Sequence, residues 1–397
     1  MKKIIIGIGV IVILVGGFIV YKHFKKDPVI TKIIIKNPDE VNFGSIINTK
    51  DYVETIADGK IIEEKILIDE YPTKEIAISY LDNNNDKHIK KLNLKVLDIE
   101  KPIVMNANTV VSYVGEQPDF TGRVMIGDNA DRSPKIEVVG NYNINKVGTY
   151  SLKYLVTDQA GNSTEQWFKL SVINKSNGNN GGNNNSSYIN YGFDKFIRDY
   201  KKSDTKVGID VSKWQGDINW QQVKNAGCEF ALIRIGYQKG IKEGLELDPY
   251  FEKNIKEANA AGVPVGLYFA SYAGSVEEAK EQADWVIKNI KGYKVDLPIS
   301  FDWENWLYFT KFNINFLDIN TIAQTFIDII NDNGYKGMLY SSKSYLESIW
   351  NEFDDVWLAH YTTNTNYQGN YSIWQRSNIG KISGINADVD LNVMYVK

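Results

Sequence analysis

The chain has 397 residues, of which 43% are hydrophobic and 24% charged, and its formal net charge is −4. That composition supports packed domains, excludes a wholly disordered chain, and lacks the basic excess of a nucleic-acid binder. A single cysteine, Cys228, excludes an intramolecular disulfide, and three histidines (His23, His88, His360) are too few for a Cys/His zinc cage. No metal or cofactor is expected, and catalysis, where present, would rest on carboxylates.

At the N-terminus, Met1, Lys2 and Lys3 precede residues 4–20, a run of 17 without a charge, and Lys22, Lys25 and Lys26 follow. A helix of that length spans about 26 Å, near the minimum for a bilayer. No small-residue cleavage site follows it, so residues 1–26 predict a transmembrane helix that stays attached, in preference to a signal segment that is removed. Lysines on both flanks leave its orientation open.

Residues 27–173 alternate apolar and polar positions between turn residues and show almost no helical period. Two stretches look alike. Strands at 75–80 and 92–96 flank a polar turn at 81–86, and strands at 149–154 and 167–172 flank one at 157–162. Ile76, Ile78 and Tyr80 of the first correspond to Tyr150, Leu152 and Tyr154 of the second. A period of roughly 75 residues suits two small all-β sandwich modules, 27–100 and 101–173. Through Val147-Gly148-Thr149-Tyr150 and Val156-Thr157-Asp158-Gln159-Ala160-Gly161-Asn162, the second resembles the bacterial immunoglobulin-like surface modules. The first lacks those residues, so its immunoglobulin-like assignment rests on strand pattern alone. Such modules mostly serve as spacers. Residues 174–205 are a linker and lead-in: Asn, Gly and Ser dominate 174–190, and a short helix is expected within 191–202. The linker predicts that the modules and the last domain have separate cores.

From residue 206 apolar runs at 207–211, 230–235, 264–269, 297–301, 337–340, 356–359, 371–374 and 385–390 alternate with helical stretches at 248–261, 276–290 and 320–332. Eight strands joined in this way predict an α/β barrel of modified TIM type over 206–397, short of some crossover helices, especially after Gly337. Function should then sit at the C-terminal strand ends, where Asp210, Arg234, Tyr268, Tyr272, Asp302, Glu304, Tyr340, His360, Gln375 and Asp390 fall. Asp302 and Glu304 are two apart, hence on one face of a strand. Two close carboxyls repel, and one can then hold a proton near neutral pH, as cleavage of a glycosidic bond requires. An Asp-x-Glu by itself also occurs as solvated loop charge or as a helix cap.

Gly208-Ile209-Asp210-Val211-Ser212-Lys213-Trp214-Gln215-Gly216 opens this domain and Val389-Asp390-Leu391-Asn392 closes it. With Phe230 to Arg234, Asp248-Pro249-Tyr250-Phe251, Gly266-Leu267-Tyr268 and Trp374-Gln375 between them, the domain resembles glycoside hydrolase family 25, the N-acetylmuramidases or Chalaropsis-type lysozymes. The resemblance implies a peptidoglycan hydrolase that cuts the β-1,4 bond between N-acetylmuramic acid and N-acetylglucosamine. It implies that Glu304 is the general acid, Asp302 the carboxylate beside it, and Asp210 and Asp390 flanking acids. Asp302 could orient the substrate's 2-acetamido group for a retaining, substrate-assisted route, or an acid could activate water with inversion. His360 stands where an arginine or a neutral residue is more usual in the family. Trp214, Trp303 and Trp306 lie beside the acids and are candidate sugar-stacking rings, and Arg234, Tyr268, Tyr272, Tyr340, His360 and Gln375 are further substrate-binding candidates.

The expected protein is thus a monomeric, multidomain, membrane-anchored muramidase without cofactor, single-pass with its catalytic domain extracellular, or secreted if the N-terminal segment is removed. Its partners are peptidoglycan glycan strands and, through the N-terminal helix, the membrane. Two rivals are a non-catalytic wall-binding or adhesion protein and a chitinase-like glycosidase. The intact set of four acids argues against a pure binder.

Overall fold

Alternation along the strands builds both compact units of the chain, one ending at Ile99 and the other beginning at Glu100. The structure, a computed structural model, describes residues 32–36, 40–175 and 191–396. The expected fold is corrected at its first element. The transmembrane helix placed at residues 1–26 lies outside the described residues, and among the described residues no helix is long and apolar enough to cross a membrane.

In the first unit, Thr73–Asp82 buries Ile76 and Ile78 and turns Glu75 and Ala77 to solvent, and it pairs antiparallel with Lys87–Leu97. The sheet is completed by Val41–Asn42 beside Lys87–Leu97 and Gly59–Ile61 beside Thr73–Asp82. The corresponding hairpin of the second module pairs Gly148–Thr157 with Ser163–Ile173. Both hairpins close with the same turn. Asp82 N–H donates to the Asp86 carbonyl at 3.1 Å, and Asp158 N–H to that of Asn162 at 3.1 Å. Asn85 (φ 64°) occupies the left-handed position that Gly161 (φ 95°) holds in the second copy. Asparagine is among the few residues that tolerate that region, so the repeat survives where its glycine does not.

The second module orders Val110–Tyr113, Ser163–Ile173, Gly148–Thr157 and Lys135–Val139 in one sheet, with Met125–Gly127 and Ile103–Met105 paired apart from it. Leu152, Tyr154, Val156, Phe168 and Leu170 form its core. Tyr154 stacks on Phe168 at 4.1 Å, and its hydroxyl donates to the Phe120 carbonyl at 2.6 Å.

The expected lead-in helix is present at Phe193–Tyr200. Eight strands then form the barrel: β1 (Thr205–Val211), β2 (Phe230–Gln238), β3 (Val265–Ala270), β4 (Ile299–Asp302), β5 (Gly337–Ser342), β6 (Val356–Ala359), β7 (Ile373–Lys381) and β8 (Val389–Tyr395). Strands β1 to β7 pair in parallel in chain order, and β8 closes the circle antiparallel to both β7 and β1. Four helices cover the outside: α1 (Trp220–Asn225), α2 (Phe251–Ala260), α3 (Val276–Asn289) and α4 (Phe316–Asp332). The TIM-type (β/α) barrel expected from the sequence is therefore corrected. After β5 only the four-residue helix Lys343–Leu346 remains, and the last strand is reversed. Seven residues separate β7 from β8, too few for the crossover a parallel strand needs and sufficient for an antiparallel return.

Period two gives the barrel two cores. Phe230, Leu232, Met338, Trp357 and Ile373 fill its interior, while Val207, Ile209, Ile233, Leu267 and Phe301 face outward into the layer beneath the helices. Gly208 makes room at the interior: a Cβ there would clash with the Phe230 carbonyl oxygen and lie 2.6 Å from its ring. The outer core also takes in Met125, with Ile103 and Met105 packed on it. The separate cores expected from the linker are thus joined at one strand, because Val124 and Ile126 point into their own module and Met125 into the barrel's outer layer.

The Gly208 contact makes a prediction. Gly208→Ala should destabilise the unit by about 1–3 kcal/mol, the usual cost of overpacking a tight interior. Urea unfolding followed by tryptophan fluorescence measures it, and an unchanged midpoint would show that the paired β1 and β2 backbones have room to shift.

Candidate active site

Inward-facing positions at the C-terminal ends of the strands bring the acids together. On β1, Gly208 and Asp210 face inward, and Asp210 sits opposite Asp390 of β8 in the antiparallel register. Asp302 ends β4, and Glu304 follows two residues later. Asp210 is buried at 4% exposure and Asp302 at 7%. Glu304 keeps an open surface, yet protein surrounds it closely enough to raise its pKa through desolvation.

A network fixes Asp210. Its Oδ2 accepts from Gln375 Nε2 at 2.9 Å and from Asn392 Nδ2 at 2.7 Å. Gln375 is oriented in turn by its Oε1, which accepts from the hydroxyls of Tyr340 and Tyr361, each at 3.0 Å. Asn392 is oriented by Trp357, whose Nε1–H donates to Asn392 Oδ1 at 2.8 Å. Asp390 also shares a side-chain hydrogen bond with Asp210. Burial and the Asp210 charge push the Asp390 carboxyl up to about 9, so Asp390 holds a proton at neutral pH and Asp210 accepts from it. Burial also raises the carboxyl of Asp302 well above the usual range, with the Glu304 charge adding to it and the Arg234 charge opposing. Glu304 is raised by burial and then by the Asp210 charge. Asp302 Oδ1 makes no hydrogen bond within the protein.

The structure places the other candidates unequally. Tyr268 and Tyr340 face the acids, and both pack on Trp357, with ring centroids at 5.7 and 4.5 Å. Burial raises both phenols well above their ordinary value. Arg234 points inward within electrostatic reach of Asp302, but Asp248 Oδ2 holds its guanidinium, with Nε at 2.8 Å and Nη2 at 2.7 Å. Trp214 is 73% exposed beyond β1, with the Lys213 ammonium over its ring 5.1 Å from the centroid. His360 lies after β6, its Nδ1 2.9 Å from Thr365 Oγ1 and its carbonyl accepting from Trp374 Nε1 at 2.8 Å. Burial lowers its basicity, which gives it the character of a neutral rim residue.

Two candidates, Trp303 and Trp306, are corrected. Trp303 is fully buried, donates its N–H to the Ala273 carbonyl at 3.0 Å and packs on Trp306 and Phe312. Trp306 is 4% exposed and stacks on Tyr345. Tyr272 turns toward Phe312 in the outer layer. The first two rings are core and present no face to a sugar; Tyr272 packs with them on the outer layer. Sequence reasoning missed Asn392, Tyr361, Trp357 and Asp248. Asn392 had a signal, since it stands two residues after Asp390 and so shares its face.

Residues 209–385 match the family described as glycosyl hydrolases family 25, and residues 106–167 match the bacterial surface protein, Ig-like domain. Lysozyme M1 of Streptomyces globisporus is 31% identical over 210 residues, covering 47% of this chain and 66% of that protein. The uncharacterized protein YegX of Escherichia coli K12 is 26% identical over 193 residues, covering 47% of this chain and 68% of that one. Among solved structures, a family 25 glycosyl hydrolase from Bacillus anthracis is 26% identical over 50% of this chain and 90% of its own, with a TM-score of 0.42. The chain thus spans about two thirds of the length of the two curated relatives.

The Asp390 proton is measurable through stability. A carboxyl near 9 in the fold and about 3.9 in the unfolded chain keeps its proton in the folded state over the interval between. The folded state therefore loses stability as pH climbs through that window. Asp390→Asn keeps a donor toward Asp210 and removes the titration, so its urea midpoint should fall less than wild type between pH 6 and pH 9. Parallel pH profiles for the two proteins would refute the assignment.

Proposed function

We propose that the family 25 glycoside hydrolase domain of this chain is a muramidase, cleaving the β-1,4 bond between N-acetylmuramic acid and N-acetylglucosamine in peptidoglycan. The observation that carries the reading is Glu304, open to solvent and with its pKa raised, beside the buried Asp302 in a ring of four carboxyls. Glu304 donates its proton to the leaving glycosidic oxygen as the bond to the anomeric carbon breaks. The Asp302 carboxyl is suited to accept the substrate's acetamido N–H, which turns the acetamido carbonyl toward the anomeric carbon. That oxygen forms the new bond and gives an oxazolinium intermediate. Glu304, now ionised, takes a proton from water, which opens the intermediate with net retention. Inversion, with water attacking directly, is the alternative, and the anomer first released separates the two.

Peptidoglycan lies outside the cytoplasm, so we place the barrel there, and the match to a bacterial surface Ig-like domain supports that placement. We take the enzyme to act as a monomer, since all four acids come from one chain. A wall-binding protein without turnover would have no use for a raised, accessible acid beside a second carboxyl. A chitinase-like activity would show as release from chitin oligomers in preference to muropeptides.

Glu304→Gln should fold as wild type and lose roughly 10²–10⁴-fold in rate, because an amide cannot protonate the leaving oxygen. Reducing ends released from purified peptidoglycan report it, with muramic acid at the new reducing end in the wild-type digest. Near-wild-type lysis by the variant would overturn the assignment of the acid.

A further inference from the structure

The segment after Glu304 is not held by the barrel alone. A 3₁₀ turn, Trp306–Phe312, leads through Asn315, the N-cap, into α4. The strand Met125–Gly127 of the Ig-like module lies against this segment. Met125 is 1% exposed within the barrel's outer core, and a Cβ on Gly127 would stand 2.5 Å from Phe316 Cε1 and 3.0 Å from Phe309 Cε1. Hydrogen bonds line the same seam. The Asp128 carbonyl accepts the Phe316 N–H at 2.8 Å, one of the donors that the start of α4 leaves unpaired within the helix. Asn315 donates its Nδ2 to the Ala130 carbonyl at 2.9 Å while its Oδ1 caps the helix through the Asp318 N–H. Arg132 forks onto Asp318 with Nε to Oδ2 at 2.7 Å and a second nitrogen to Oδ1 at 3.1 Å.

A second set of contacts links the module to the far side of the site. Asn106 Nδ2 donates to the Tyr345 hydroxyl at 3.0 Å. Tyr345 stacks on Trp306 with centroids 4.2 Å apart and planes 16° apart, and the Glu304 charge reaches its phenol. Trp306 meets Trp303 edge-on at 4.8 Å, and Trp303 is the residue joining Asp302 to Glu304.

We infer that the Ig-like module is a positioning element of the catalytic site: by clamping residues 305–318 and Tyr345 it fixes the loop that carries Glu304. The inference rests on the muramidase reading above, in which Glu304 is the general acid. A general acid must stand within hydrogen-bond reach of its target oxygen, and a misplacement of about 1 Å can cost on the order of a hundredfold. The module therefore acts on the rate of the chemical step, beyond the spacing role its family resemblance suggests.

The test uses the full chain acting on soluble peptidoglycan oligomers. Asn106→Ala with Arg132→Ala removes the polar clamps, and Gly127→Val drives a side chain into the Phe316 ring. Both should lower kcat by about tenfold or more while changing KM by less than roughly twofold, the pattern of an interaction felt in the transition state. The near-ultraviolet circular dichroism of the Trp306–Tyr345 stack should weaken, with far-ultraviolet signal retained, and Arg132→Lys should recover part of the loss. Should Gly127→Val fail to fold, the double variant carries the test, because Asn106 and Arg132 are exposed side chains. Wild-type kcat in the folded variants, or an unaltered stack signal, would overturn the inference. A wild-type chain that cleaves no peptidoglycan would instead overturn the muramidase reading, and the dichroism of the variants would still decide whether the module holds the stack.

Discussion

A carboxyl group withdrawn from water has to be matched by donors or give up its charge, and Asp210 imposes that condition on the mouth of the barrel. Its partners come from the two strands that complete the circle, Gln375 from β7 and both Asn392 and Asp390 from β8. Only a reversed β8, paired on either side, sets Asp390 opposite Asp210 while placing Asn392 one step deeper on the same face. Closure of the sheet and satisfaction of the acid are therefore one constraint. The condition passes outward, since Gln375 and Asn392 each have a second polar end, and Tyr340, Tyr361 and Trp357 occupy those ends. A network of this kind stiffens the site because leaving any member unpaired in low dielectric is costly. The charge it protects also raises the pKa of Glu304 and of Asp390.

How much of this was legible follows from the period of the strands. Asp210, Arg234, Tyr268, Asp302, Tyr340, Gln375 and Asp390 fall at inward positions, and reading strand ends was enough to find them. The same period, carried one step further, excludes Trp303. A residue between two inward-facing neighbours must point outward, and Trp303 does, into the layer beneath the helices. Proximity in sequence to two acids was a weaker guide than parity. Asn392 was within reach of the same rule. Tyr361 and Asp248 were not, because each lies in a segment whose direction is set by pairing elsewhere. Asp248 follows Leu245–Leu247, a strand that returns antiparallel on β2, and that return aims it at Arg234.

The barrel's departure from TIM type was half legible. The loss of helices after Gly337 follows from the short spacing of the last apolar runs, but strand direction leaves no mark in composition. Joining of the module to the barrel leaves a fainter mark. Val124, Met125 and Ile126 are apolar in succession, as in a strand covered on both faces, and that pattern is what the structure uses. Which surface supplies the second cover is a matter of contacts such as Arg132 with Asp318, 186 residues apart, which a single sequence does not encode in any local pattern.

Glu304 has to meet two demands that conflict. Under the proposed reaction it must be open to a glycan strand, and it must be desolvated enough to keep a proton. A position inside β4 would satisfy only the second, and a free loop only the first. The chain resolves this by placing Glu304 just beyond the strand, between residues that are themselves anchored. Trp303 is sunk in the outer core with its N–H on the Ala273 carbonyl, and Asn305 Nδ2 donates to the Ser271 carbonyl at 2.9 Å. The backbone on both sides of the acid is thus tied to the loop after β3. The tryptophan expected from sequence to stack on a sugar is turned into the outer core instead, and its burial anchors the backbone that leads into Glu304.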